Sequence, residues 1–156
     1  MNILDTIGGV LIGLVILAGA AAGVNAGYNH AKLSNMEQNI ISLRMNIQQL
    51  FSGASDYTGL TNTVAQAAGC VPQQFVKGSN LQNPYGGAIT LAAGASNTYT
   101  ISVDGIPNAA CTKLSLFQSD AWTSVSVNGT DVSGGSVASV ASACNSSSNS
   151  IIFTAR

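Results

Sequence analysis

Charged residues are scarce in this chain of 156 residues. Five Lys and Arg and six Asp and Glu make up 7% of the sequence, against roughly a quarter in an ordinary soluble domain. The formal net charge of −1 excludes a polycation that binds nucleic acid by neutralising phosphates. Low charge together with 46% hydrophobic residues is the opposite of the composition of disordered chains. We therefore expect about one folded domain.

Groups that carry catalysis or bind metals are also scarce. The one histidine, His30, has no Cys, His, Asp or Glu cluster around it at metal-ligand spacing. Asp104, Asp120 and Asp131 could pair as acid and base in principle, but each stands in a turn-like context that favours a solvated carboxylate. The common fingerprints of hydrolases, zinc proteases and nucleotide-binding proteins are missing from the sequence. We predict no enzyme, no cofactor, no metal site and no nucleic-acid partner.

An apolar run with a single charge, Asp5, occupies residues 3–24. About 20 apolar residues span a bilayer as a helix. Exposing the Leu, Ile and Val side chains of this run to water would cost roughly 15–30 kcal/mol, which rivals the net stability of a whole domain. A cleaved signal peptide fits poorly, because no Lys or Arg precedes the run. The segment is expected in a membrane or buried against other protein.

The glycines of the run distinguish it from an inert membrane anchor, which stays open as an alternative. Several of them recur four residues apart, a spacing that lets the backbones of neighbouring helices approach closely. They are Gly9 and Gly13, and then Gly19 and Gly23, with Gly27 at the same spacing just beyond the run. The pattern favours close packing of this helix against other helices.

Asp5 needs a partner, because a carboxylate at the edge of an apolar helix is costly unless it is paired. The run contains no basic residue. The nearest cation is the α-amino group of Met1, either of the same chain or of a neighbouring copy. Chemistry alone leaves two readings open, an Asp at the membrane interface and a pair between subunits.

Beyond the run, apolar residues recur at spacings of three and four, which predicts one face of an α-helix. They are Leu33, Met36, Ile40, Leu43, Ile47 and Leu50. The simplest prediction is one helix over about residues 2–52, roughly 75 Å long, with a stop at Ser52-Gly53. We divide the chain into a protruding hydrophobic helix, residues 1–28, and a globular head, residues 29–156, that includes the amphipathic half. A short coiled coil is the alternative for the apolar stripe.

The remaining sequence favours an α+β fold in which the long helix packs on an antiparallel sheet. Asp104-Gly105 is expected to end the second strand. The predicted elements are a helix at 61–69, a turn at 83–87, a hairpin of strands at 88–92 and 98–103, a helix at 107–117, a strand at 122–127, a Ser-rich loop at 133–150 and a last strand at 150–155.

Three cysteines in a chain that crosses a membrane suggest export and one disulfide. Three pairings are possible. A bridge between Cys111 and Cys144 would close about 34 residues and tie down the Ser-rich loop. Cys70 would then be the odd thiol, either a small buried side chain or a reactive or intermolecular one.

Taken together, the apolar amino-terminal helix with an acidic residue at position 5, the amphipathic continuation and the α+β head resemble type IV pilins. The resemblance spans most of the chain and is closest to the type IVb branch, which includes the bundle-forming, toxin-coregulated and conjugative thin-pilus pilins. Short blocks in the same order carry it: 55–60 (SDYTGL), Val71-Pro72, 83–87 (NPYGG), 101–105 (ISVDG) and Ala110-Cys111.

The resemblance implies a major pilin, a structural subunit that polymerises into a pilus for adhesion, aggregation or conjugative contact. It implies a leader removed by a prepilin peptidase, a methylated Met1 amine, a stay in the bacterial inner membrane and then an extracellular filament of identical copies. The family disulfide falls on Cys111 and Cys144, which leaves Cys70 as a free thiol. Asp5 stands where the family usually has Glu. The alternatives are a minor pilin or pseudopilin and a membrane-anchored binding module.

Overall fold

The structure is a computed structural model that describes residues 30–156. The chain divides into two units, Met1–Ser34 and Asn35–Arg156. Within the first unit the described residues, 30–34, are helical. Among residues 30–156, no helix is both long and apolar enough to span a membrane. The predicted hydrophobic helix and its boundary at residue 28 lie outside the described residues.

Helix α1 covers residues 30–50 of the described chain. Within the second unit, Met36, Ile40, Leu43 and Ile47 are each fully buried, as the spacing of three and four residues predicts for one helical face. A turn over residues 51–53 follows the helix, where Ser52-Gly53 predicts the stop. The amphipathic pattern therefore marks the face of α1 that packs on the sheet.

The head is built on a five-stranded antiparallel sheet in the order β3-β4-β7-β5-β6. The central strand, β7, buries every second side chain, which is the pattern of a strand with one face on a core. A separate hairpin of β1 and β2 precedes the sheet. The strands are β1 Val76–Lys77, β2 Asn80–Leu81, β3 Ile89–Ala93, β4 Tyr99–Ile106, β5 Ser124–Val127, β6 Thr130–Asp131 and β7 Asn149–Ala155.

Three short helices flank the sheet: α2 Asn62–Ala67, α3 Asn108–Leu116 and α4 Val137–Ala143. The hydroxyl of Thr61 accepts a hydrogen bond from the N–H of Val64 and so caps α2. Helix α3 begins directly after Pro107, as expected of a proline ahead of a helix. The α+β class with an antiparallel sheet is confirmed, and so are the hairpin, both of these helices and the last strand.

The free edge of the sheet at β3 is covered by a side chain. The amide group of Asn62 donates to the carbonyl oxygen of Ile89 at 2.8 Å and accepts from the N–H of Leu91 at 2.7 Å. It pairs with the strand as another strand would. Covering an edge in this way keeps it from pairing with other chains.

The prediction that Asp104-Gly105 ends a strand is wrong. Strand β4 continues to Ile106, with an irregularity in its pairing to β7 between Val103 and Ile106. Gly105 has a φ of +70°, a conformation that glycine adopts without steric cost. The Asp-Gly pair therefore bends the strand as a β-bulge instead of terminating it.

The prediction of an uninterrupted Ser-rich loop over residues 133–150 is also wrong, because helix α4 lies inside it. The hydroxyl of Ser136 caps the helix by accepting from the N–H of Ser139 at 3.2 Å. Val140 anchors the helix in the core. Serine is as common at helix caps as in loops, so composition alone misread this segment.

Asn128 and Gly129 form a two-residue turn between β5 and the short strand β6. Both have positive φ, 51° and 85°, which is the geometry of the type I′ hairpin turn that Asn-Gly favours. The sequence prediction contained neither β6 nor the hairpin of β1 and β2.

Candidate functional site

The residues assigned to filament assembly lie outside the described residues, 30–156. They are Met1, Asp5, Gly9, Gly13, Gly19 and Gly23. Their roles stay predictions. The described head holds the remaining assigned residues, which are the three cysteines.

The disulfide joins Cys111, within α3, to Cys144, directly after α4. Both half-cystines are buried. The bridge ties α3 to α4, and with it the Ser-rich segment that precedes the last strand. The expected pairing is confirmed.

Cys70 is a free, buried thiol. Its Sγ lies 3.7 Å from the carbonyl oxygen of Asn46 on α1, and the amide of Asn46 donates to the carbonyl oxygen of Cys70 at 2.9 Å. Burial raises the pKa of the Cys70 thiol, which keeps it protonated and poorly nucleophilic. These contacts support the reading of Cys70 as a small packed side chain.

Two of the sequence blocks that carry the resemblance meet in space. The buried amide of Asn83 donates to the carbonyl oxygen of Asp104 at 2.7 Å and accepts from the N–H of Tyr85 at 2.8 Å. A Cβ on Gly87 would overlap the same carbonyl oxygen of Asp104. The 83–87 turn therefore packs directly on the bulge of β4, which needs an amide at 83 and a glycine at 87.

A third block places an aromatic cluster beside the end of α1. The ring of Tyr57 lies 4.6 Å from that of Tyr99 and 5.4 Å from that of Phe51, centroid to centroid. The hydroxyl of Tyr99 donates to the carbonyl oxygen of Arg44 at 3.4 Å. Burial raises the pKa of Tyr99 far above its usual value, although the charge of Arg44 acts in the opposite direction. Tyr99 is therefore a neutral structural donor.

The guanidinium of Arg44, on α1, lies over the ring of Trp122. The guanidinium carbon lies 5.2 Å from the Trp122 ring centroid, within the range of a cation–π interaction. The other side of the cluster is Phe153 of β7, whose ring centroid is 4.8 Å from that of Trp122. A basic residue of the amphipathic helix is thus used to hold the helix on the sheet.

Asn149 is a buried polar hub that the sequence did not reveal. Its side-chain amide donates to the carbonyl oxygen of Ser146 at 2.7 Å and to that of Ile106 at 2.9 Å. Its oxygen accepts from the amide of Asn128 at 2.8 Å. An Asn beside serines usually marks a turn, so the local sequence predicts an exposed position for this residue and not a buried one.

Asn128 also begins a match to the N-glycosylation sequon, Asn128-Gly129-Thr130. Its amide nitrogen donates to the Asn149 side chain and, at 3.0 Å, to the carbonyl oxygen of Ala143. A glycan on that nitrogen would replace one of its two hydrogens and so break at least one of these hydrogen bonds, which disfavours modification there.

The carboxylates of the head are surface groups. Asp104, Asp120 and Asp131 are all exposed. Hydrogen bonds from the hydroxyl and the N–H of Ser133 lower the pKa of Asp131, and those from Thr58 lower the pKa of Asp56. Both stabilise the charged form, the opposite of what a general acid at neutral pH requires.

In the described chain, no group of three or more His, Cys, Asp or Glu residues could hold a metal ion. His30 is an exposed residue of α1. A groove of about 330 Å³ is lined by residues of the 54–57 turn, the 96–97 loop and Arg156.

A solved structure identifies the class of fold. The crystal structure of TcpA, a type IV pilin from Vibrio cholerae El Tor biotype, matches with a TM-score of 0.59 and covers 81% of this chain and 99% of that one. The sequence identity is 14%, so the match shows the fold alone. The head therefore has the type IV pilin fold.

Sequence comparisons give the family. Residues 30–156 match the family described as PilS N terminal. The major structural subunit of bundle-forming pilus from Escherichia coli O127:H6 is 30% identical over 130 residues, and that from Escherichia coli O111:H- is 31% identical over 110 residues. These matches cover 78% and 65% of this chain. The chain belongs to the PilS N-terminal family, in the type IVb branch of the pilins.

The chain spans 66% and 57% of the lengths of these two curated relatives.

The structure gives a reason for each of the five sequence blocks that carry the resemblance. They supply the β4 bulge and its docking turn, the Tyr57 stack, the buried Val71 beside Cys70, and the Ala110-Cys111 face of α3.

Proposed function

We propose that the chain is the major structural subunit of a type IVb pilus and polymerises with copies of itself into an extracellular filament. The observation that carries the proposal is that one chain joins a pilin head to an apolar run, residues 3–24, directly ahead of α1. Relatives of this chain are named as major structural subunits of bundle-forming pilus. The role is structural and not catalytic.

The head has a feature that stabilises proteins outside the cytoplasm. The buried Cys111–Cys144 disulfide is of the kind that forms in oxidising compartments. Closing a loop of this length stabilises the folded state by about 3.5–4 kcal/mol in the chain-entropy account. Such a head tolerates exposure on the cell surface, where no chaperone supports it.

The head also offers apolar contacts to neighbours. Met45 is 62% exposed and lies on α1 outside its buried stripe. Leu50 is 41% exposed at the end of α1, although the spacing of the apolar residues predicts it on the buried face. Val64 on α2 is 42% exposed. Single apolar side chains are common on protein surfaces, so these residues alone do not account for association. They add contact area between subunits, and the apolar run contributes most of the contact that holds the subunits together.

Before assembly the apolar run resides in the inner membrane, and assembly moves it into the core of the filament. Lipid and a helical core are similarly apolar, so this transfer gains little from the hydrophobic effect. Close packing at Gly9, Gly13, Gly19 and Gly23 favours the protein environment. Repeated head-to-tail contacts between identical subunits do not close on themselves, so they produce a filament.

Asp5 selects the correct partner in this assembly. Its carboxylate pairs with the α-amino group of Met1 of a neighbouring subunit, which removes an unpaired charge from an apolar environment. The amine is exposed by a prepilin peptidase and then methylated, and it keeps its positive charge after one methyl group is added.

The test is filament yield from cells that express Asp5→Ala, Asp5→Glu or the control Asp120→Ala. Asp120 is an exposed aspartate on a turn of the head. We expect Asp5→Ala to leave the head folded and its disulfide formed, while sheared filament falls at least tenfold. Asp5→Glu keeps the charge and should restore filaments, and Asp120→Ala should assemble normally. Normal piliation by Asp5→Ala would sink the intersubunit pair.

A further inference from the structure

Three buried polar groups lack a hydrogen-bond partner among the described residues, 30–156. They are the Nε–H of Arg44 on α1, the hydroxyl of Ser115 at the end of α3, and the indole N–H of Trp122. Ser115 and Trp122 both line one cavity, and Arg44 is not part of its lining. Ser115 is 3% exposed and Trp122 is 7% exposed. Leaving a buried donor or acceptor unsatisfied costs about 1–3 kcal/mol. Two such groups in one region call for a common partner.

Both residues line the same small cavity. It lies between the end of α3, strand β5 and the 132–135 turn ahead of α4, and its volume is about 30 Å³. Its lining includes Ser115, Ser119, Trp122, Ser124 and Val132. That volume accommodates one water molecule and excludes a sugar, a nucleotide or any larger organic ligand.

The side chains that line the cavity further restrict the kind of molecule that can occupy it. The cavity has no charged side chain in its lining, so neither a metal ion nor an anion finds a counter-charge there. The indole N–H of Trp122 can only donate, and the Ser115 hydroxyl both donates and accepts. A neutral occupant that accepts from one group and exchanges with the other satisfies both.

A neighbouring hydroxyl is already engaged and so cannot replace that occupant. The Ser133 Oγ accepts from the N–H of Val125 at 2.8 Å and donates to the carbonyl oxygen of Val125 at 3.4 Å. Its one hydrogen is therefore shared between two acceptors, the Val125 carbonyl oxygen and the Asp131 carboxylate. Ser124 lines the same cavity and can supply a further hydroxyl.

We propose that this cavity is a binding site for one ordered water that bridges the indole N–H of Trp122 and the hydroxyl of Ser115. The water accepts from the indole, shares a hydrogen bond with Ser115, and completes its usual set of about three bonds with Ser124. Such a water is a fixed part of the fold and is expensive to remove.

The bridge has a structural consequence. Trp122 is the ring against which Arg44 of α1 and Phe153 of β7 pack. Ser115 is four residues after the half-cystine Cys111. The water thus couples the disulfide-closed segment to the contact between α1 and the sheet. This inference does not depend on filament assembly.

The test uses the single tryptophan of the sequence, whose indole N–H gives one unambiguous NMR signal. In the detergent-solubilised full chain, we expect a cross-peak between the Trp122 indole proton and water, with the sign that marks a water held far longer than surface solvent. No cross-peak, or one with the sign of freely exchanging solvent, would overturn the proposal without any variant.

Two substitutions separate a bound water from proton exchange through the Ser115 hydroxyl. Ser115→Ala removes the hydroxyl and leaves room for the water, so the cross-peak should remain. Ser115→Val fills the space, so the cross-peak should disappear. The control Ser142→Val, at an exposed position of α4, should leave it unchanged. Loss in Ser115→Ala with retention in Ser115→Val would contradict the water site.

Discussion

Side-chain amides that are buried or half-buried organise the head at the scale of single residues. Asn62 pairs with the edge of β3, Asn83 docks a turn on the β4 bulge, and Asn149 joins β7 to two neighbouring segments. A buried amide is tolerated because its donors and acceptors are matched. The sequence could not reveal the roles of Asn83 and Asn149, since Asn beside Pro or Ser ordinarily indicates a solvated turn.

Replacing the hub should be costly. Asn149→Ala leaves the carbonyl oxygens of Ile106 and Ser146 without their donor, so we expect the free energy of unfolding to fall by about 2–3 kcal/mol. Denaturant unfolding of the detergent-solubilised chain measures the loss. Asn145→Ala, at an exposed position nearby, should change it by less than about 0.5 kcal/mol. Equal effects of the two substitutions would refute the hub.

Tyr99 should make the head sensitive to alkaline pH. Burial raises the pKa of Tyr99 above the ordinary value of 10.0. The contribution of Tyr99 to the free energy of unfolding is therefore complete below pH 10 and is lost at higher pH, because this tyrosine ionises first in the unfolded chain. Tyr99→Phe should flatten the decline of unfolding free energy above pH 10. Tyr85 and Cys70 also have raised pKa values, so part of the decline should persist. An unchanged slope in Tyr99→Phe would contradict this account.

At the scale of elements, regular patterns were predictable and local chemistry was not. The buried stripe of α1 follows the helical period, and β3, β4 and β7 alternate buried and less buried side chains. The sequence pattern does not indicate helix α4, because the helix is short and Ser-rich and has one buried residue, Val140. The Asp104-Gly105 dipeptide does not distinguish a bulge from a strand end, because it is compatible with both.

The disulfide should dominate the stability of the segment between α3 and α4. The double variant Cys111→Ser, Cys144→Ser removes a bridge that spans 33 positions, and we expect a loss of about 3.5–4 kcal/mol of unfolding free energy. Reductant should destabilise the wild-type head by a similar amount and leave the double variant unaffected. Cys70→Ala should retain this sensitivity to reductant. A wild-type head indifferent to full reduction would contradict the prediction.

At the scale of the whole molecule, only some features of the candidate site could be predicted from the sequence. The Cys111–Cys144 pairing followed from the resemblance, because three pairings are open from spacing alone. The contacts of Arg44 with Trp122 and the small cavity beside Ser115 join segments far apart in sequence. No local sequence pattern indicates that these distant segments contact one another.

The most direct test of the central claim is the composition of filaments sheared from intact cells. We predict that this chain is their most abundant protein and that its amino-terminal peptide begins at Met1 with one added methyl group. Recovery in trace amounts would indicate a minor pilin. Recovery exclusively from membranes, with an unmodified or longer amino terminus, would contradict the account and make the protein an anchored binding module.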